Sequence, residues 1–117
     1  MDIRLKRAYD PASGGDGYRV LVERFWPRGV TKERAALDEW ARELAPSPEL
    51  RRWFGHDPER FQEFRRRYRE ELAGQRERLE ELRRRAEQGP VTLVYGARDS
   101  EHNGAVVLAD VLRGGSP

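Results

Sequence analysis

The sequence predicts an α/β fold: a small, mainly three-stranded sheet with helices packed on it, one of them long and arginine-rich. Three observations carry this reading. Residues 3–8 and 18–26 alternate apolar and polar side chains at the two-residue period of a half-buried strand. Val91-Thr92-Leu93-Val94-Tyr95 is a nearly continuous β-favouring run of the kind that suits a strand covered on both faces. Between residues 58 and 87, apolar residues recur at helical spacing.

Taken in order, Ile3, Leu5 and Ala8 alternate with Arg4 and Lys6 in the first strand. Asp10 to Gly17, full of turn-forming residues, reads as a flexible loop able to cover a site. The second strand, Tyr18 to Trp26, sets Val20, Val22 and Arg24 on one face and Arg19, Leu21, Glu23 and Phe25 on the other, and ends at Pro27 and Gly29. Thr31 to Ala45 turns helical, with Leu37, Trp40, Ala41 and Leu44 as one apolar stripe, and Pro46 stops it. Ser47-Pro48-Glu49 is an N-cap, a first-turn proline and an early acid, so a short helix follows over Leu50 to Phe54. Asp57-Pro58-Glu59 repeats that signal and opens the longest helix, with Phe61, Phe64, Tyr68, Leu72, Leu79, Leu82 and Ala86 on its apolar face and Gly74 as a bend or break. Gly89-Pro90 ends it. After the third strand, Ser100 is the expected N-cap of a last helix through Arg113, and Gly114 to Pro117 is an expected frayed tail.

A chain of 117 residues fits one domain, spanning 1–117, able to bury roughly two-thirds of its unfolded surface. It contains no cysteine, so disulfides, thiolate zinc sites and a Cys nucleophile are excluded. The charged N-terminal stretch lacks a signal-peptide core and no apolar run is long enough to span a membrane, so a cytoplasmic location is expected. The 23 basic and 21 acidic residues nearly cancel, to a net charge of +2, and only Lys6 and Lys32 are lysines among the basic residues. Arginine is the better fork for phosphate or carboxylate, yet a GC-rich genome writes the same bias. The runs Arg65-Arg66-Arg67 and Arg83-Arg84-Arg85 are balanced by nearby acids at helical spacing, which favours a solvated, ion-paired face over a nucleic-acid arm.

Two segments could carry chemistry. In α/β sheets ligands collect beyond the carboxyl ends of strands, near helix N-termini; the junction from Tyr95 to Ala105 has Arg98 as a fork, Asp99, Glu101 and His102 as acid/base groups, and Asn103 in the first turn. The bland alternative is that Asp99 or Ser100 caps the helix and His102 is solvated. The other segment is the turn Arg24-Phe25-Trp26-Pro27-Arg28-Gly29, where guanidinium groups flank aromatic rings and could hold a phosphate while a ring stacks on a flat group; otherwise Phe25 and Trp26 are core. No dinucleotide fingerprint, phosphate loop, nucleophile elbow or zinc-protease motif is present, so no cofactor is expected. His56 and His102 have no metal-ligand spacing, no metal is expected, and His56 reads as part of a turn between helices.

Across most of the chain the residues are those of a known family. Lys6 to Asp10, Asp16 to Gly29, Leu37-Asp38-Glu39-Trp40, Ala45 to Arg51, Leu93 to Asp99 and His102 to Ala109 together resemble the YeaO-like branch of the domain-of-unknown-function family DUF488. The resemblance implies a small bacterial or archaeal protein and no particular reaction. In other branches a Cys-His-Arg cluster follows the strand matching Val91 to Tyr95; here His102-Asn103-Gly104 stands thereabouts without cysteine, so thiol chemistry does not carry over. The implied location does: the strand-to-helix junction facing the Trp-Pro-Arg-Gly turn.

The leading expectation is a pocket for an anionic, phosphate- or carboxylate-bearing ligand, such as a nucleotide or a nucleic-acid end. Arg24, Trp26, Arg28, Arg98 and Asn103 would be its binding residues, with Asp99 and His102 as acid/base groups should a reaction be catalysed. A nucleic-acid-binding or regulatory module without catalysis is the second class, and a scaffold that pairs through the Phe61 to Ala86 stripe is the third. The oligomeric state stays open.

Overall fold

The structure, a computed structural model, describes residues 1–114, so the expected tail from Gly115 onward lies outside the described residues. Its sheet has four parallel strands, not three. They are β1 (Ile3–Arg7), β2 (Tyr18–Leu21), β3 (Glu39–Trp40) and β4 (Val91–Tyr95), in the spatial order β1-β4-β2-β3. β4 is central: Ile3 to Arg7 pair in step with Val91 to Tyr95 on one side, and Tyr18 to Leu21 with Val91 to Val94 on the other. All five β4 residues are buried, as the nearly continuous β-favouring run required, and the Thr92 hydroxyl is satisfied by donating to Asp16 O at 2.7 Å. Because every strand runs the same way, the four carboxyl ends share one edge.

The extra strand lies where a helix was expected over Thr31 to Ala45. That helix is only α1 (Lys32–Ala35), stopped by Ala36 in the left-handed conformation at φ 45°. Tertiary pairing overrides the helical spacing. The Arg19 guanidinium takes the Ala35 carbonyl, the Asp38 carboxylate accepts the Arg19 N–H at 2.8 Å, and Ala41 N donates to Leu21 O at 2.8 Å. The single apolar stripe therefore divides between the two faces of the sheet: Ala41 and Leu44 join the helix-covered core, while Leu37 and Trp40 pack on the opposite face.

The second strand is shorter than expected, ending at Leu21, although Val22 N still donates to Val94 O at 3.0 Å. Helix α2 (Pro48–Phe54) starts on the Ser47 cap. From Pro58 to Gln88 the chain is helical for 31 residues, as α3 (Phe61–Leu72) and α4 (Arg76–Gln88) joined by a tighter turn at Ala73–Gln75, so Gly74 marks a break rather than a gap. Of the expected face, Phe64, Tyr68, Leu72, Leu79, Leu82 and Ala86 are buried and Phe61 is half-buried against them. α5 (Gly104–Leu112) begins later than Ser100 implied, because Asp99 gathers the Glu101 and His102 N–H groups into a separate turn and Asn103 caps the helix, its Oδ1 accepting from Val106 N at 2.9 Å.

The loop from Asp10 to Gly17 is pinned rather than free. Asp16 is 5% exposed and accepts from Lys6 Nζ at 2.9 Å and from Arg19 Nη1 at 2.6 Å, with Arg19 itself 3% exposed. Among the described residues no helix is long and apolar enough to cross a membrane.

Candidate functional site

The carboxyl edge of the sheet opens into a cleft of about 770 Å³, within the usual size range for small-molecule sites. Three chain segments wall it: Tyr9 after β1, the turn from Phe25 to Arg28 after β2, and Gly96 to Asp99 after β4, with Arg51 and His56 of the α2 end closing the remaining side. Hydrogen bonds stitch these segments together. Tyr9 Oη donates to Arg28 O at 3.0 Å, Arg7 Nε to Ala97 O at 2.9 Å, and Gly96 N to Glu23 Oε2 at 2.8 Å.

Arg28 and Arg98, expected on facing loops, both line this cleft, and so do Trp26 and Asp99. Both arginines are exposed. Trp26 also has a structural task, because its Nε1 donates to Val30 O at 2.6 Å and its ring meets Trp40 edge-on at 5.4 Å. The freer ring is Phe25, 59% exposed on the cleft wall, with the Arg51 guanidinium 5.1 Å from its centroid.

Arg24 is turned elsewhere, its Nη2 donating to Ala45 O and Pro46 O at 3.3 Å, so it fastens the turn to the start of α2. Asn103 lies in a smaller chamber of about 50 Å³ that adjoins the cleft through shared walls of Glu23, Arg51, His56 and Ala97. Its amide is already used: Oδ1 caps α5 and Nδ2 donates to Asp99 O at 2.8 Å. His102 lines neither space. Its Nδ1 is 2.9 Å from Asp99 Oδ2, and its ring stands edge-on to Phe61. The Glu101 N–H, the His102 ring and the His102 N–H hold the Asp99 carboxyl below the usual range, so it is a weak base occupied by its own loop.

Glu23, Arg51 and His56 were not singled out from the sequence as binding residues, and Phe25 was named only as one of the two rings of the turn. Glu23 is the most informative of them. It lines both spaces, its backbone carbonyl accepts from Trp40 Nε1 at 2.7 Å, and burial pushes its carboxyl pKa upward against the Gly96 N–H and the nearby Arg51 and His56. The available signal was an acid continuing the apolar run Val20-Leu21-Val22 at a strand's carboxyl end. His56 carried a weaker one: it follows Gly55, and both take left-handed φ values, 57° and 53°, turning the chain back at the cleft wall. The cleft thus gathers Arg28, Arg51, Arg98 and His56 with Glu23 and Asp99.

Residues 2–115 match the family model described as the inactive DUF488-N3 subclade. The chain is similar to YeaO of Escherichia coli (strain K12), 47% identical over 113 residues that cover 97% of this chain and 98% of that one. It is similar too to uncharacterised proteins of Mycobacterium bovis and Mycobacterium tuberculosis, each 43% identical over 112 residues covering 96% of this chain and 94% of theirs. No solved structure matches.

Proposed function

This chain belongs to the DUF488 family, in its inactive N3 subclade, and on that premise we propose that it is a binding protein for a small phosphate- or carboxylate-bearing ligand, nucleotides being the leading class. The observation that carries the reading is the joint presence of Arg28, Arg51 and Arg98 in one cleft at the carboxyl edge of a parallel sheet, the place where such folds hold ligands. Guanidinium forks suit phosphate oxygens, and the exposed Phe25 ring offers a face to a flat group. A binding role fits better than catalysis because Asp99 and His102, the acid/base candidates, are engaged with each other and with backbone N–H groups. It agrees with the subclade's description.

The test is calorimetric titration of the full chain with inorganic phosphate and with a panel of nucleotides, repeated on Arg28→Ala and Arg98→Ala. Both side chains are exposed, so the variants should fold normally. Each is expected to weaken phosphate binding by about tenfold, the scale of one charge-assisted hydrogen bond. Unchanged binding in both variants overturns the reading.

A further inference from the structure

The cleft holds two carboxylates; Asp99 is engaged by its own loop, which leaves Glu23 as the group that an anion site alone does not call for. Glu23 sits among its walls, and a carboxylate there repels the ligand that the arginines attract. Its placement is fixed: Oε2 accepts the Gly96 N–H at 2.8 Å, and the backbone on which it stands is held by the Trp40 indole. The other carboxyl oxygen, Oε1, makes no hydrogen bond among the described residues, while the residue lines both the cleft and the chamber beside it. A rigid acceptor is therefore presented to whatever occupies this space.

Resting on the proposed anion-binding function, we infer that Glu23 is the specificity-determining residue of the site, reading an N–H or O–H donor on the ligand. The occupant is then a phosphate ester that carries its own donor, not a bare inorganic anion. An acceptor in a partly desolvated site discriminates strongly, since a ligand lacking the donor leaves a carboxylate oxygen stripped of water and unpaired. Two parts of such an ester can supply the donor, a sugar hydroxyl or a base N–H. Both satisfy the same chemistry.

The experiment compares inorganic phosphate, ribose 5-phosphate and adenosine monophosphate by calorimetric titration, on the wild type and on Glu23→Gln. In the variant the amide oxygen accepts from Gly96 N–H, which leaves the NH₂ facing the cleft as a donor against a donor. The wild type is expected to bind at least one ester about tenfold more tightly than phosphate, and Glu23→Gln to erase that margin while phosphate binding is kept or strengthened. Loss of the margin for ribose 5-phosphate assigns the donor to the sugar; loss for adenosine monophosphate alone assigns it to the base. Equal wild-type affinities for all three probes, or a parallel change of phosphate and esters in the variant, overturn the inference and leave the anion reading standing. Absence of phosphate binding that depends on Arg28 or Arg98 overturns both. Circular dichroism checks the fold, and Glu23→Asp, which withdraws the acceptor by one methylene, provides a second variant with the same expected loss of margin.

Discussion

Glu23 and Gly96 stand 73 residues apart in the chain and meet at 2.8 Å, carboxylate to backbone N–H, where β2 and β4 deliver their carboxyl ends side by side. This bond joins two walls of the cleft. It also leaves a carboxyl group in surroundings that disfavour its charge, because burial outweighs the stabilisation by Gly96, Arg51 and His56.

That imbalance has a measurable consequence for stability. The folded chain holds the Glu23 proton more tightly than the unfolded chain, so this residue's contribution declines as pH rises from about 4.3, the unfolded value, through the raised folded one. Glu23→Gln has no such decline. Urea denaturation should show the variant gaining on the wild type between pH 3 and pH 7; a gap that stays constant or reverses contradicts the assignment.

Asn103 separates a structural role from a ligand-binding one. Its amide caps α5 and ties down Asp99 O, so Asn103→Ala should cost about 1–2 kcal/mol in urea denaturation. Asn103→Asp, which keeps the capping oxygen, should cost less than half of that. Phosphate affinity of the folded alanine variant should stay unchanged, and a large loss there would make Asn103 a ligand contact.

The long helix, the central strand and the Ser47 cap were legible because each is specified locally, by periodicity, by a nearly continuous β-favouring run or by a side chain bonding its own backbone. β3 was not, since Glu39 and Trp40 become a strand only when Val20 and Leu21 lie beside them, and their neighbours mimic a helical stripe. The site divides the same way. The placement of Arg28 and Arg98 on the cleft wall was expected from turn chemistry and from the rule that ligands gather at strand ends. Arg51 and His56 reach the cleft through the packing of α2, which no local pattern announces.

Asp16 is the buried charge on which the Asp10 to Gly17 loop depends. Asp16→Asn leaves Arg19, 3% exposed, without its counter-ion, at a cost of about 3–5 kcal/mol at neutral pH. Lys6, Ser13 and Arg19 hold the aspartate well below the usual carboxylate range, so its contribution is present above the unfolded value of about 3.9 and is lost as pH falls below it. Denaturation of wild type and variant should therefore converge in strong acid. Curves that remain parallel from pH 7 to pH 2 would remove the ion pair from the account.

Gly17 closes that same loop in a conformation and a space that only glycine fits. Its φ is 66°, and a Cβ would lie 2.3 Å from Pro90 O, which accepts the Tyr18 N–H that begins β2. Gly17→Ala combines left-handed strain with a backbone clash, so a loss of about 2 kcal/mol or more is expected in thermal or urea denaturation. A neutral substitution would show that the Pro90 crossing yields easily.

The arginines of α3 and α4 yield the sharpest contrast with a nucleic-acid reading. Arg66 and Arg67 both reach Glu63, Arg78 spans Glu39, Glu43 and Glu81, and Arg83 holds Glu80 and the Val111 and Leu112 carbonyls. Releasing them to phosphates would break contacts that brace α4 against β3 and α5, and each carboxylate left behind would repel the backbone of a nucleic acid. Retention of single-stranded DNA or RNA in a filter-binding assay should accordingly be absent even at about 50 mM salt, where phosphate contacts are strongest. Tight binding that falls steeply with salt, and that Arg66→Glu with Arg67→Glu abolishes, would instead make this helix face the functional surface.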